Sequence, residues 1–167
     1  MSTSYEFSSP DKVTIGTLGP VGARAFYLQA REATSTVTLK VEKQQVGALS
    51  TLLGRLLADL ARPGELDEDD LELDDFDEPD FVVGALAVSY DADGDRIVVL
   101  AEEIVGEDDE PGAEASMALT REQAGTLAIR GTRLVEAGRP PCPLCGFPLD
   151  PRGHACPRTN GHHPPLT

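Results

Sequence analysis

Tryptophan is absent from this chain, aromatic residues make up only 5% of it, and histidine occurs three times. A core built from it must be aliphatic, made of Val, Leu, Ile and Ala. A hydrophobic content of 40% over 167 residues is enough for one compact domain with a small appendage. No apolar run approaches the roughly 18 residues that a membrane span needs. Residues 1–7 lack the basic-then-apolar plan of an export signal, so the expected compartment is the cytoplasm. Ser/His/Asp catalysis finds few partners, because all three histidines fall after residue 150 and no Gly-x-Ser-x-Gly elbow occurs.

Bases are scarce as well: 14 Lys and Arg stand against 29 Asp and Glu, a net charge of −15. The imbalance is local. Residues 1–62 carry seven bases and five acids, whereas residues 65–80 hold eleven acids and no base. That field repels phosphate and argues against a nucleic-acid groove over the middle of the chain. The bland reading of residues 63–80 is a solvated acidic linker whose charges repel one another. Leu66, Leu71, Leu73 and Phe76 interrupt the acids, however, and acidic-hydrophobic alternation of this kind can dock on a basic protein partner.

Self-similarity appears on either side of that stretch. Glu42-Lys43-Gln44-Gln45-Val46-Gly47-Ala48-Leu49 is echoed by Thr120-Arg121-Glu122-Gln123-Ala124-Gly125-Thr126-Leu127, and Ile15-Gly16-Thr17-Leu18 by Val83-Gly84-Ala85-Leu86. In the first half, residues 13–18, 23–32 and 36–41 read as strands, the last with strict alternation of Val37, Leu39 and Val41 against Thr36, Thr38 and Lys40. A helix over residues 43–60 follows, with Val46, Leu49, Leu53, Leu56 and Leu60 on one stripe. In the second half, strands 81–90 and 96–104 flank an Asp-Gly turn, 115–119 is a short strand, and Thr120 with Gln123 forms a capping box for a helix that Gly138 stops. Ala124, Leu127, Gly131 and Leu134 should face inward.

The expected fold is therefore α+β. Two strand-strand-strand-helix repeats, residues 1–62 and 81–138, would form a six-stranded antiparallel sheet with two helices on one face. The acidic linker 63–80 joins them, and a tail of residues 139–167 follows.

That tail carries the sharpest chemical signal. All three cysteines lie in it: Cys142-Pro143-Leu144-Cys145-Gly146 is a zinc knuckle, two thiolates at i and i+3 turned by the glycine, and Cys156 can return opposite them. Three thiols would leave one over in any disulfide scheme, whereas metal ligation uses all three. An imidazole completes a tetrahedral set of three sulfurs and one nitrogen, a mixture that zinc favours. His154, two residues before Cys156, and His162, five residues beyond it, are equal candidates for that ligand, with His163 behind them. A redox dithiol should open a helix in a thioredoxin-like unit, and Pro143 with Gly146 does not resemble that context. Nor does an HExxH-like helix with a general base exist, so the zinc ion is expected to be structural.

Other patterns weigh less. Asp91-x-Asp93-Gly94-Asp95 lacks the glycine and glutamate positions of a calcium loop and reads as a turn. Gly16-x-x-Gly19-x-x-Gly22 has no Gly-Lys-Ser/Thr after it and reads as a hairpin joint. Arg130, Arg133 and Arg139 sit on or near the outer part of the second helix, as a solvated face or facing the acidic joint.

The chain resembles an uncharacterised family of small actinobacterial proteins, a domain of unknown function also described as a repeat protein. The resemblance is carried by Phe26-Tyr27-Leu28-Gln29-Ala30-Arg31-Glu32, by residues 39–45, by Gly138-Arg139-Pro140-Pro141-Cys142-Pro143-Leu144-Cys145-Gly146, and by Cys156-Pro157-Arg158-Thr159-Asn160-Gly161. It spans nearly the whole chain. The resemblance implies a pathway shared with a histidine-phosphatase-like and a lipid-kinase-like protein encoded nearby, and names no reaction. The functional expectation is a non-enzymatic, zinc-stabilised binding or adaptor protein with a protein partner. Alternatives are a small-ligand binder or enzyme using a cleft between the repeats, and a transcription-associated factor whose zinc tail uses Arg139, Arg152 and Arg158.

Overall fold

The computed structural model describes residues 3–20, 22–60 and 71–137. Seven strands and two helices follow in the order β1 (Ser4–Phe7), β2 (Lys12–Leu18), β3 (Ala25–Glu32), β4 (Ser35–Val41), α1 (Lys43–Ala58), β5 (Phe81–Asp91), β6 (Arg96–Glu103), β7 (Glu114–Leu119) and α2 (Arg121–Ala137). They make an α+β fold with one mixed sheet, ordered β1-β7-β6-β5-β4-β3-β2.

Two features depart from the six antiparallel strands expected. The strand β1 is additional and pairs in parallel with β7, from Ser4 opposite Glu114 to Phe7 opposite Met117. Its four residues are too few to show a period, which is why alternation does not reveal it. The pairing of β4 with β5 is also parallel, through Leu39 opposite Phe81 and Lys40 opposite Val82. Here α1 lies in the connection between the two strands, and a helical crossover returns the chain in the same direction.

The sheet is rolled. Strands β1 and β2 stand at opposite ends of the order, yet only residues 8–11 join them. From Phe7 to Lys12 the chain can span at most about 18 Å. Seven strands laid flat, about 4.8 Å apart, would separate the two edges by about 29 Å. The edges must therefore curl towards each other, and α2 bridges them. It begins next to β7, and along its length Gln123 Nε2 donates to the Pro10 carbonyl at 2.8 Å and Arg130 Nε to the Ile15 carbonyl of β2 at 2.6 Å.

Inside the roll lies one core, aliphatic apart from the buried Phe7, Phe26 and Phe81. Val13, Ile15, Leu28, Val37 and Leu39 from the first strands meet Ile97, Val99, Met117 and Leu119 from the later ones, beneath Val46, Leu49 and Leu53 of α1 and Ala124 and Leu127 of α2. Thr120 begins α2 as expected: its Oγ1 accepts from the Gln123 amide at 3.1 Å, and its own amide donates to Gln123 Oε1 at 3.0 Å. The helices approach closely at Gly131, where an added Cβ would run into Ser50 Oγ and meet Val46 and Ile15.

Candidate functional site

Strand alternation gives β2, β3 and β4 a second face, away from the core, carrying Lys12, Thr14, Gly16, Tyr27, Gln29, Arg31 and Thr38. Lys12 and Arg31 are directly opposite in the β2–β3 register. Like charges so placed destabilise a sheet unless an anion lies over them.

Asp74 is that anion. Its Oδ1 accepts from Lys12 Nζ at 3.1 Å and its Oδ2 from Arg31 Nη1 at 2.9 Å. Partial burial pushes the Asp74 carboxyl up. Hydrogen bonding from Lys12, with the charges of Lys12 and Arg31, outweighs this and holds it below the usual carboxylate range. Around the anchor, Thr14 Oγ1 donates to the Leu71 carbonyl, and the Leu73 side chain lies directly over Gly16. Phe76 meets Tyr27 edge-on, with ring centroids 4.9 Å apart and planes at 61°. Further along, the Asp80 amide donates to the Thr38 carbonyl at 2.6 Å, and Asp80 Oδ2 accepts from the Thr38 amide at 2.8 Å. Residues 71–80 thus form a strap across the outer face of the sheet.

A solvated linker does not describe this part of the acidic stretch. Nor are Leu73 and Phe76 free for a partner groove, because they pack on Gly16 and Tyr27 of the chain's own sheet, while Leu71 gives its carbonyl to Thr14. What remains outside is the charge: Glu72, Asp75, Asp77 and Glu78 are exposed, among the half-buried Leu71, Leu73, Asp74 and Phe76. The result is a fixed acidic row. The rest of the acidic stretch, residues 63–70, lies outside the described residues. On α2, Arg130 is half-buried and bonded to β2, not a solvated base, and with Arg133, Leu134 and Leu71 it lines a small hollow beside the strap.

A larger cavity, about 500 Å³, opens at the other end of the first strands. Phe26, Val41 and Leu134 give it an apolar lining, and the bases Arg24, Lys40 and Lys43 also border it, Lys40 from the opposite face of β4 to Val41. They come from the turn before β3, the end of β4 and the first residue of α1, so no short sequence window contains them together. Glu42, also on the wall, is the N-cap of α1 and forms a capping box with Gln45. The Gly16-Gly19-Gly22 stretch is a hairpin joint here, with Gly19 at φ 100° and Gly22 at φ 90°, values that favour glycine.

The anticipated metal ligands Cys142, Cys145, Cys156, His154 and His162 lie outside the described residues, as do His163 and Arg139. Among the described residues, no group of three or more His, Cys, Asp or Glu is placed to hold an ion. Asp91 ends β5, and the next four residues turn into β6, where Asp95 Oδ1 accepts from Tyr90 Oη at 2.8 Å and Arg121 Nε at 2.9 Å. No helix among the described residues is long and apolar enough to cross a membrane.

The Lys12, Gln29, Arg31 and Asp74 cluster escaped sequence reasoning, although two bases in neighbouring strands were a usable signal. A family model described as a protein of unknown function, DUF3090, matches residues 5–156. The matched stretch takes in Cys142, Cys145, His154 and Cys156 and ends before His162. No curated protein and no solved structure matches the chain.

Proposed function

We propose that this chain, which belongs to the DUF3090 family of proteins of unknown function, is a non-enzymatic cytoplasmic binding or adaptor protein that docks a basic protein partner on its acidic strap. One observation carries the reading: Glu72, Asp75, Asp77 and Glu78 belong to a segment that Asp74 and Gln29 fasten to the sheet, and among the contacts of the described residues none of the four carboxylates takes part in fastening it. Holding these charges in place before binding lowers the ordering cost of association, and their field steers a basic surface towards them.

The tail belongs to the same reading. Three thiolates and an imidazole are a donor set that fits tetrahedral zinc, and such an ion folds a segment too small to have its own core. Cys142, Cys145 and Cys156 would supply the sulfurs. His154 is the first choice for the nitrogen because it lies inside the stretch shared with the family, with His162 as the alternative. An internal duplication is part of the proposal too. After β1, three strands and a helix follow one another twice, so that β2, β3, β4 and α1 correspond to β5, β6, β7 and α2.

The test is capture from native cytosol by the untruncated protein and by a variant carrying Glu72→Gln, Asp75→Asn, Asp77→Asn and Glu78→Gln. The wild-type chain should retain a basic partner that elutes at raised salt, and the variant should lose it. If both forms retain the same proteins, the strap is not the docking element.

A further inference from the structure

The outer face of the sheet changes character halfway across. Over β2, β3 and β4 it is largely polar, and the strap covers it. Over β5, β6 and β7 it carries Ala85, Ala87, Val98, Leu100 and Ala118, with Ser89 and Ser116 among them. These positions alternate with the buried Val99, Ala101 and Met117, and neither Val98 nor Leu100 belongs to the core. An antiparallel sheet with one face in water puts polar residues on that face. Here both faces are apolar. The Ile104 amide donates to the Val82 carbonyl at 2.8 Å, and these two residues, 61% and 38% exposed, extend the apolar strip to the rim. A contiguous exposed strip of this kind marks an interaction surface.

Glu102 and Glu114 add an electrostatic observation. They are directly opposite in the β6–β7 register, both are exposed, and neither makes an ion pair among the described residues. The arrangement inverts that of Lys12 and Arg31, the opposed bases that Asp74 bridges on the other half of the sheet. A cation held over the two glutamates would complete the correspondence.

From the uncovered apolar strip and the unbridged pair of acids, we infer that residues 139–158 of this chain dock across the outer face of β5, β6 and β7, with an arginine over Glu102 and Glu114. Three observations commit the face to that occupant. The first is charge. In a chain of net charge −15, residues 139–158 carry Arg139, Arg152 and Arg158 against Asp150 alone. A second copy would bring its own acids to the same face and be repelled. The second is pattern: Leu144, Phe147 and Leu149 fall between those arginines, as Leu73 and Phe76 flank Asp74 in the strap. The third is position. Leu134, near the end of α2, borders the same cavity as Lys40, and Lys40 pairs with Val82, so α2 delivers the chain to the rim where the strip begins. Twenty residues reach at most about 70 Å, whereas the strip from Val82 to Ser89 is about 25 Å long. The inference goes beyond the adaptor reading and does not rest on it, because it needs neither a partner on the strap nor a zinc ion.

Limited trypsin digestion of the full-length protein, read by mass spectrometry, reports docking through cleavage after Arg152 and Arg158. Leu100→Asp puts a charge beneath the docked segment and should speed cleavage at both sites at least about tenfold. Ala87→Asp, at an exposed position, should do the same and keeps the test open where Leu100→Asp fails to fold. Glu114→Gln removes half of the opposed pair and should speed cleavage about threefold. Asp93→Asn, in the exposed turn between β5 and β6, should be cut as the wild type is. Zinc content, measured on each sample, should not differ between variants and wild type, which separates this result from the metal proposal. Equal cleavage rates in the wild type and both aspartate variants overturn the inference and leave the face to a partner in trans. So does a wild-type dimer, seen by sedimentation, that either aspartate variant turns into a monomer, since the face would then belong to a second copy. Faster cleavage in the aspartate variants with an unchanged rate in Glu114→Gln overturns the placement of the arginine.

Discussion

The side-chain amide of Gln29 pairs with the main chain of Asp74 in both directions. The Asp74 amide donates to Gln29 Oε1 at 2.7 Å, and Gln29 Nε2 donates to the Asp74 carbonyl at 3.0 Å. The remaining hydrogen on Nε2 goes to Thr38 Oγ1 at 3.0 Å. Gln29 is 2% exposed, so each of these groups would otherwise lack a partner out of water. A side chain from β3 thereby does for the strap what a neighbouring strand would do, and it sets the register at which Asp74 reaches Lys12 and Arg31.

Asp74→Asn removes the charge and keeps the shape, leaving Lys12 and Arg31 opposed. The expected loss is about 1–2 kcal/mol at pH 7, discounted for partial exposure. The Asp74 carboxyl is held lower in the folded chain than in the unfolded one. Its contribution is therefore present above about pH 4 and lost as pH falls through the folded value. Urea unfolding of both proteins at pH 7 and at pH 3 should show a gap at the first that narrows at the second; an equal gap at both would contradict the ion-pair account.

Glycine substitutions separate strap contact from helix propensity. A Cβ on Gly16 would land on the Leu73 side chain, so Gly16→Ala should cost about 1–3 kcal/mol and open the strap to proteases. Gly54 is exposed on α1 with nothing within 4 Å of an added Cβ. Gly54→Ala should stabilise by up to about 1 kcal/mol. Thermal unfolding with limited proteolysis reads both.

Where the helices cross, Ser50 Oγ is buried without a hydrogen-bond partner among the described residues. Ser50→Ala should be neutral or stabilising by about 1 kcal/mol, since an unsatisfied hydroxyl is removed. Gly131→Ala should destabilise the wild type and cost less in the Ser50→Ala background, because the obstructing oxygen is gone. A double-mutant cycle from denaturant melts measures this coupling, and strict additivity would place the obstruction elsewhere.

Metal analysis of untagged protein prepared without chelator should return about one equivalent of zinc, the stoichiometry of a single four-ligand site. Cys142→Ser or Cys145→Ser should release it. Of the two histidine variants, His154→Ala should lower zinc content and His162→Ala should not. Less than about a tenth of an equivalent in the wild type would remove zinc from the account.

Much of the scaffold was legible because its physics is periodic. Val37, Leu39 and Val41 alternate, Val46, Leu49 and Leu53 recur at helical spacing, and all are buried. Thr120 and Gln123 announced α2 through a hydrogen-bond pattern that spans a single helical turn. Contacts between distant segments were not legible. Eleven acids in one stretch read as self-repelling, and only the meeting of Lys12 with Arg31 across two strands shows why Asp74 is drawn in. For the cavity, Arg24 and Lys43 are nineteen positions apart in sequence and become neighbours only when β3 and β4 pair.

Hydrogen exchange of the full chain at neutral pH tests the docked strap most directly. The amides of Asp74 and Asp80, bonded to Gln29 Oε1 and the Thr38 carbonyl, should exchange as slowly as those of β3, and Gln29→Ala should release the Asp74 amide. Exchange of both amides at open-chain rates in the wild type would mean that the acidic stretch is not part of the fold, and the proposed docking row would have no fixed base.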